Sequence, residues 1–353
     1  MYRELQEFVS KKKPIALATV VEAGEKNREL PGQKLLLTES EVFGPLQDHP
    51  IGAEVHRLAA EALKQRGVHF RQITAEKVTA GIFVECYHPV ARLLILGGGH
   101  VARPLAQIAS LLQYQITVVD DRPTFANNQR FPGAAVVCDE FIPALQRQTI
   151  DPATSVVIVT RGHRHDLACL EYVLQFQPGY VGMIGSRRRV KLVKEHLARC
   201  GYPEEKVNRV HMPIGLAIGA ATPEEIAVSI AAQLVEVRRG PGGVPTSTAE
   251  EWELLTRTME YVNLGQPVVA ATILRTRGST PRKAGAKMLV LPDGTCIGTI
   301  GGGCGEAAVR RDALMLFDEG GVKISSVLLD AGTAAEEGMV CGGAMDVFLE
   351  RLV

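Results

Sequence analysis

Two hydrophobic rhythms alternate along the chain. Leu5, Phe8 and Val9 share one helical face, and the run Ile15-Ala-Leu-Ala-Thr-Val-Val21 that follows reads as a strand. Lys34-Leu-Leu-Leu37 is a second apolar run, a helical pattern covers 51–64, and Ile82-Phe-Val84 closes this first segment. From Arg92 onward the apolar runs lose their alternation. Leu93-Leu-Ile-Leu96 is short and apolar without alternation, as a strand covered on both faces is, and Ile116-Thr-Val-Val119, Val136-Val137, Ser155-Val-Val-Ile-Val159 and Tyr180-Val-Gly-Met-Ile184 read as the strands that follow it. Helical patterns separate them, ending near Leu112 and covering 166–175 and 187–199. Strands alternating with helices predict βαβ units on a parallel sheet. A long helix from Pro223 to Val237 closes this region, with Thr222 at its N-cap, Pro223 at its first position and Glu225 at its third.

Gly240-Pro-Gly-Gly-Val-Pro-Thr-Ser-Thr248 interrupts the pattern with turn-forming residues and predicts a linker over 241–248. Beyond it a helix carrying Trp252, Leu255 and Met259 leads into the strand Pro267-Val-Val-Ala-Ala-Thr-Ile-Leu274. Here the rhythm of the first segment returns. A shift of 253 positions lays Pro14 on Pro267, Ala18 on Ala271, Thr19 on Thr272, Gly32 on Gly285, Lys34 on Lys287 and Leu36 on Leu289. One further residue brings Gly44 onto Gly298, Val55 onto Val309 and Arg57 onto Arg311. Residues 1–90 therefore read as a diverged copy of 249–353, with 91–240 between them. The predicted fold class is α/β: a Rossmann-like parallel-sheet domain flanked by two copies of a smaller α+β domain, the N-terminal copy degenerate. Gly301-Gly-Gly-Cys304 falls opposite Gln47-Asp-His-Pro50, and Cys341-Gly-Gly343 has no counterpart before Ile82. A copy that keeps its strands and loses these cysteines marks them for chemistry; loop drift alone would leave the same trace.

The overall balance narrows the classes. The 353 residues suffice for two or three domains, and Lys+Arg equals Asp+Glu at 39 each, which argues against a nucleic-acid binder. No apolar run has the length of a bilayer-spanning helix, and the start of the chain lacks the apolar core of a signal peptide. Seven scattered cysteines fit a reducing compartment better than a disulfide framework, so a cytoplasmic protein is expected.

Two stretches carry candidate chemistry. In Thr295-Cys-Ile-Gly-Thr-Ile-Gly-Gly-Gly-Cys-Gly-Glu306 three glycines run into Cys304 where a helix is expected to start. Such a loop can turn its N–H groups toward an anion, and Gly302 and Gly303 are its candidate donors. The field at a helix start also favours a cysteine's thiolate over its thiol. A tight turn around a buried cysteine is the competing reading.

The second stretch is Gly97-Gly-Gly-His-Val-Ala102, in which Gly97, Gly99 and Ala102 fit G-x-G-x-x-A between a buried strand and a helix. Asp120 at the end of the next strand is placed to bond ribose hydroxyls and to favour NAD over NADP. An empty or different site is the alternative. In a 3-2-1-4-5 sheet, Thr160-Arg-Gly-His-Arg-His-Asp166 faces the same crevice as Gly97–His100. His163, His165 and Asp166 there read as polar lining of a phosphate site with Asp166 as an N-cap, or else as metal ligands or proton carriers. Ser186-Arg-Arg-Arg189 adds basic residues at a further helix start.

With these residues laid out, the chain resembles a known family. Gly97-Gly-Gly-His-Val-Ala, Val118-Val-Asp-Asp-Arg-Pro-Thr-Phe-Ala126, Arg130-Phe-Pro132, Tyr180-Val-Gly-Met-Ile-Gly-Ser-Arg187 and Pro213-Ile-Gly-Leu-Ala-Ile-Gly-Ala-Ala-Thr-Pro-Glu-Glu-Ile-Ala-Val-Ser-Ile230 are similar to the Rossmann domain of the XdhC/CoxI family, the xanthine dehydrogenase accessory proteins. Arg277-Gly-Ser-Thr-Pro-Arg282, Gly298-Thr-Ile-Gly-Gly-Gly-Cys-Gly-Glu306 and Met339-Val-Cys-Gly-Gly343 resemble that family's other domain. Here the cysteine-bearing domain follows the Rossmann domain instead of preceding it, and Gly301 stands where the family loop has serine.

The resemblance implies an accessory, chaperone-like protein of molybdenum hydroxylases. Such a protein binds molybdenum cofactor, supports its sulfuration with a cysteine desulfurase and delivers it to a xanthine dehydrogenase-like partner. In that reading Cys304 and Cys341 are metal ligands or sulfur carriers, Arg277 and Arg282 supply charge beside them, and the Rossmann cleft holds the pterin, NAD or another nucleotide. A homodimer without membrane or nucleic-acid partners is expected. The alternative is an NAD(P)-binding oxidoreductase in which His163 or His165 serves as the base.

Overall fold

The computed structural model describes residues 2–11, 13–65, 67–329 and 343–353, and the chain divides into two compact units. One unit combines Met1–His88 with Ala249–Val353, and the other is Pro89–Thr248. In the first, α1 (Tyr2–Lys11), β1 (Ile15–Ala23), β2 (Lys34–Leu37), β3 (Val42–Phe43), α2 (Gly52–Leu63), β4 (Val68–Ala75) and β5 (Val78–Tyr87) follow in order. The strands make an antiparallel sheet, β3-β2-β1-β5-β4, onto which α2 packs Val55, Leu58, Ala59 and Ala62. The hydrophobic pattern does not announce strand β4. It lies at the sheet edge and buries only Ile73, so it lacks the apolar run that marks the others.

The second unit begins with β6 (Arg92–Leu96), α3 (Ala102–Leu111), β7 (Gln115–Asp120) and β8 (Ala135–Cys138). It continues with α4 (Phe141–Gln146), β9 (Thr154–Ile158), α5 (His163–Val173), β10 (Tyr180–Met183), α6 (Arg187–Arg199), α7 (Glu204–Asn208) and α8 (Pro223–Arg239). All five strands are parallel, in the order β10-β9-β6-β7-β8, so the order reverses between β6 and β9. Both sheet faces are covered, as the non-alternating strands require. Ala102, Leu105, Ile230 and Leu234 of α3 and α8 cover one face; Leu145, Leu170, Val193 and Val207 of α4 to α7 cover the other. Thr222 and Glu225 form a reciprocal capping box at the start of α8. The two ends of the unit are joined by a parallel bridge, Val90 to Ser247.

The chain then re-enters the first unit with α9 (Ala249–Asn263), β11 (Val269–Arg277), β12 (Lys287–Val290), β13 (Cys296–Gly298), α10 (Gly303–Glu319), β14 (Val322–Leu329) and β15 (Gly343–Arg351). Its sheet runs β13-β12-β11-β15-β14, the same arrangement as the first. The register agrees residue by residue at the shift of 253: Ala16 faces Leu37 as Val269 faces Val290, and Thr19 faces Lys34 as Thr272 faces Lys287. Each central strand is irregular at the same place, between Val20 and Glu22 and between Ile273 and Arg275.

Within this unit the two sheets pack reciprocally. Lys287 Nζ lies 2.8 Å from Glu85 Oε1, and its equivalent Lys34 pairs with Glu350, the equivalent of Glu85. Val21, Phe83, Leu274 and Phe348 form one apolar cluster between them. A Cβ on Gly32 would meet Val322 at 3.0 Å, and one on Gly285 would meet Val68 at 2.7 Å. Glu22 and Arg275, which coincide under the shift, bond each other at 2.6 Å. The Trp252 indole N–H donates to the His88 carbonyl at 2.7 Å, tying the point where the chain leaves this unit to the point where it returns.

Candidate functional site

In the parallel-sheet unit the glycine turn after β6 is built by close approach. Gly97 has φ of +110°, and a Cβ there would overlap the Val159 carbonyl at the end of β9. Gly98 lies equally tight against the Phe125 carbonyl, whereas a Cβ on Gly99 would meet nothing within 4 Å. Ala102 is fully buried in the helix–sheet core, so its small side chain lets α3 come close to the strands. The open part of the turn is therefore Gly99 and the exposed His100 at the start of α3, where first-turn N–H groups have no acceptor within the helix.

Asp120 does not present itself to a ribose. It is 1 % exposed, and its carboxylate accepts from the Gly98 N–H at 2.9 Å, the Arg122 N–H at 3.0 Å and two Arg122 guanidinium nitrogens at 2.9 Å each. Burial pushes its carboxyl up, but the Arg122 and backbone donors outweigh this and hold it below the ordinary carboxylate value. Arg122 lies over the Phe125 ring at 3.7 Å, and Arg130 donates to the Gly98 carbonyl at 3.2 Å. The segment after β7 thus locks the glycine turn from inside.

The loop after β9 meets the same turn. Helix α5 starts at His163, three residues earlier than its periodicity predicts, which places Asp166 inside the first turn and Gly162 at the cap. The buried Asp166 carboxylate accepts from Thr160 and pairs with Arg189 of α6. Burial raises its pKa, and these partners only partly offset the rise. Arg161 and Asp121 form a two-pronged ion pair linking the loops after β9 and β7. His163 is exposed, and His165 packs against Phe141 with ring centroids 5.3 Å apart. Sequence reasoning offers Arg189 within the basic Ser186–Arg189 run as a phosphate holder, whereas the structure turns it to Asp166; it does not single out Asp121, Arg122, Arg130 or Arg161, for which the Asp-Asp-Arg run is the available signal.

In the antiparallel unit, Gly301, Gly302 and Gly303 all have positive φ, at 132°, 74° and 64°, a conformation that side-chain-bearing residues rarely adopt. Helix α10 begins there, with Gly302 as its N-cap and the exposed Cys304 as its second residue. The loop already holds a carboxylate. Glu306 Oε2 accepts from Thr299 Oγ1 at 2.6 Å and from the N–H groups of Ile300 and Gly302 at 3.1 Å each. Burial pushes Glu306 up, but these hydrogen bonds prevail and hold its pKa below the ordinary value. The expected anion-binding donors are thus partly occupied from within. The first-turn N–H groups of Gly303, Cys304 and Gly305 have no helical acceptor, and a Cβ on Gly302 would point into open space.

The loop from Arg277 to Arg282 joins the motifs. A Cβ on Gly301 would meet Pro281 at 3.1 Å, and one on Gly343 would overlap the Ser279 carbonyl. One loop therefore touches both the turn before Cys304 and the residue two places after Cys341. Cys341 itself lies outside the described residues. Arg277 is exposed at the end of β11, while Arg282 is 3.6 Å from Glu250 of α9. An exposed thiol among helix-start donors can hold an oxyanion or a thiophilic metal.

These features define an α/β protein with a Rossmann-type unit and a cysteine-bearing glycine loop on a separate antiparallel-sheet unit. A family model described as the XdhC Rossmann domain matches residues 93–234, and one described as the XdhC and CoxI family matches 262–328. The chain belongs to the XdhC and CoxI family. It is 29 % identical over 245 residues to the "Uncharacterized protein YqeB" of Escherichia coli K12, covering 65 % of this chain and 45 % of that protein. It is 30 % identical over 210 residues to a probable xanthine dehydrogenase subunit of Bacillus subtilis 168, covering 58 % and 57 %. It is 24 % identical over 152 residues to the "Molybdenum cofactor insertion chaperone PaoD" of Escherichia coli K12, covering 43 % and 42 %. The chain spans about half the length of the curated relatives it matches.

Proposed function

We propose that this protein is an accessory factor of a molybdenum hydroxylase of the xanthine dehydrogenase type, with molybdenum cofactor as its cargo. The observation that carries the reading is the 277–282 loop, which contacts Gly301 on the Cys304 side and Gly343 on the Cys341 side. Cys304 and Cys341 would then offer two soft sulfur ligands or sulfur carriers to one cargo, with Arg277 and the α10 first-turn N–H groups for its oxyanions. The names of two relatives, a cofactor insertion chaperone and a probable xanthine dehydrogenase subunit, point the same way. Sulfuration by a cysteine desulfurase and delivery to the hydroxylase in the cytoplasm complete the role. The parallel-sheet unit, taken by itself, offers Gly99 and His100 to the phosphate of a nucleotide or of a pterin. The internal use of Asp120 weighs against NAD bound through its ribose.

We also read residues 1–90 as a duplicate of 249–353 that has lost the chemistry and kept the packing. Its pairing surface is used within the chain, so a homodimer would form through another face.

Molybdenum cofactor bound to the purified protein can be followed by molybdenum content and by fluorescence of the oxidised pterin. Cys304→Ala, Cys341→Ala and Arg277→Ala are each expected to lower retained cofactor by about tenfold or more, equivalent to roughly 1.4 kcal/mol. Retention unchanged in both cysteine variants would remove the basis of the proposal.

A further inference from the structure

Away from both glycine loops, three metal-ligating side chains meet on α5 and α6. Glu171 lies in α5, His196 in the last turn of α6, and Cys200 at that helix's C-cap. His196 Nε2 is 2.8 Å from Glu171 Oε1 and 3.4 Å from Cys200 Sγ, and the three ligand atoms lie within 4.8 Å of one another. His196 and Cys200 are four positions apart on a helix, so they share a face by construction. Glu171 comes from the neighbouring helix, which makes the cluster a property of the fold. Cys200 is exposed and the other two are half-buried, so an ion can reach them without opening the core.

Bond lengths of about 2.0–2.3 Å around a tetrahedral zinc ion separate its ligand atoms by about 3.3–3.6 Å. The sulfur–imidazole spacing already fits; the imidazole–carboxylate spacing needs to open by about 0.5 Å, which replaces their hydrogen bond with two metal bonds. One thiolate, one imidazole and one carboxylate suit a borderline-soft divalent ion and not magnesium or calcium. Asp166 and Arg189 already join these helices at their N-terminal ends. We propose that Glu171, His196 and Cys200 bind a divalent transition-metal ion of the zinc class, which fastens the C-terminal ends of α5 and α6 and leaves its fourth coordination position to solvent.

Cobalt(II) tests this directly, because a thiolate ligand gives near-ultraviolet charge-transfer absorption and tetrahedral geometry gives intense visible bands. The full chain carrying Cys304→Ala and Cys341→Ala serves as host, so that those thiols cannot contribute. Titration is expected to saturate at one equivalent with both signatures, and zinc should displace the cobalt, because d10 zinc loses no ligand-field stabilisation on entering a tetrahedral site. Cys200→Ser should abolish the charge-transfer band, while His196→Ala and Glu171→Gln should weaken binding by about tenfold or more. A charge-transfer band that survives Cys200→Ser, or titration without one, would overturn the assignment.

Discussion

Glu306 occupies ground that its sequence neighbourhood reserves for a bound anion. Its carboxylate supplies negative charge to a helix start, where backbone N–H groups and the helix dipole favour it. The sequence does carry a signal, an acidic residue in the first turn after a glycine run, but nothing in the order G-G-G-C-G-E says that it folds back. Glu306→Gln keeps the shape and removes the charge, and charge-assisted hydrogen bonds of this kind contribute about 1.5–3 kcal/mol. A loss of about 2 kcal/mol in urea-induced unfolding at neutral pH is expected. The sign with pH follows from the depressed carboxyl. Its contribution is present above the ordinary glutamate value near about 4.3 and is lost as pH falls through the lower folded-state value. The difference between the native protein and Glu306→Gln should therefore close in acid, and a gap independent of pH would refute the account. Asp120 tells the same story at the other turn: its position at a strand end is legible, but its commitment to Gly98 and Arg122 depends on side-chain placement that no spacing encodes.

At the scale of elements, legibility follows burial. The strands of the parallel sheet stand out because both faces are covered, which turns them into continuous apolar runs. Strand β4 escapes the pattern for the opposite reason: it lies at the edge of its antiparallel sheet and exposes Arg71, Gln72 and Thr74. The start of α5 is hidden because the polar His163-Arg-His165 begins the helix without an apolar stripe to announce it. The glycine turn after β6 is legible as a place of close approach, and its tolerance can be measured. Gly97→Ala combines positive φ with overlap against the Val159 carbonyl, and strain of each kind costs about 1–3 kcal/mol. A drop of about 3 kcal/mol or more in unfolding free energy is expected, against a small change for Gly99→Ala, which meets open space. Equal effects of the two substitutions would contradict the packing described.

For the whole molecule, the antiparallel unit depends on two buried cross-pairs, Lys34 with Glu350 and Lys287 with Glu85. The Lys287 side chain is 14 % exposed and that of Glu85 10 %. Burial pushes the Lys287 ammonium down, but Glu85 beside it outweighs this and keeps its pKa raised. Lys287→Met alone strands a buried carboxylate and should cost about 3–5 kcal/mol, whereas Lys287→Met with Glu85→Leu replaces the pair by apolar contact and should recover most of that loss. Chemical denaturation of the two variants checks this, and additive losses would exclude the pairing. The 253-residue correspondence is readable because buried strands retain their pattern, while the pairing itself is not, since it joins residues from opposite ends of the sequence.

The reciprocal packing also has a consequence for stoichiometry. Two sheets related like the halves of a dimer are tethered in one chain, so their association is independent of protein concentration and each is always supplied with its partner. Only one of them carries the glycine-flanked Cys304; the other has Gln47-Asp-His-Pro50 in that place. The pair therefore has a fixed ratio of one Cys304-type loop to two sheets, a half-occupancy set by the sequence at synthesis and unaffected by dilution, ligand or exchange of subunits.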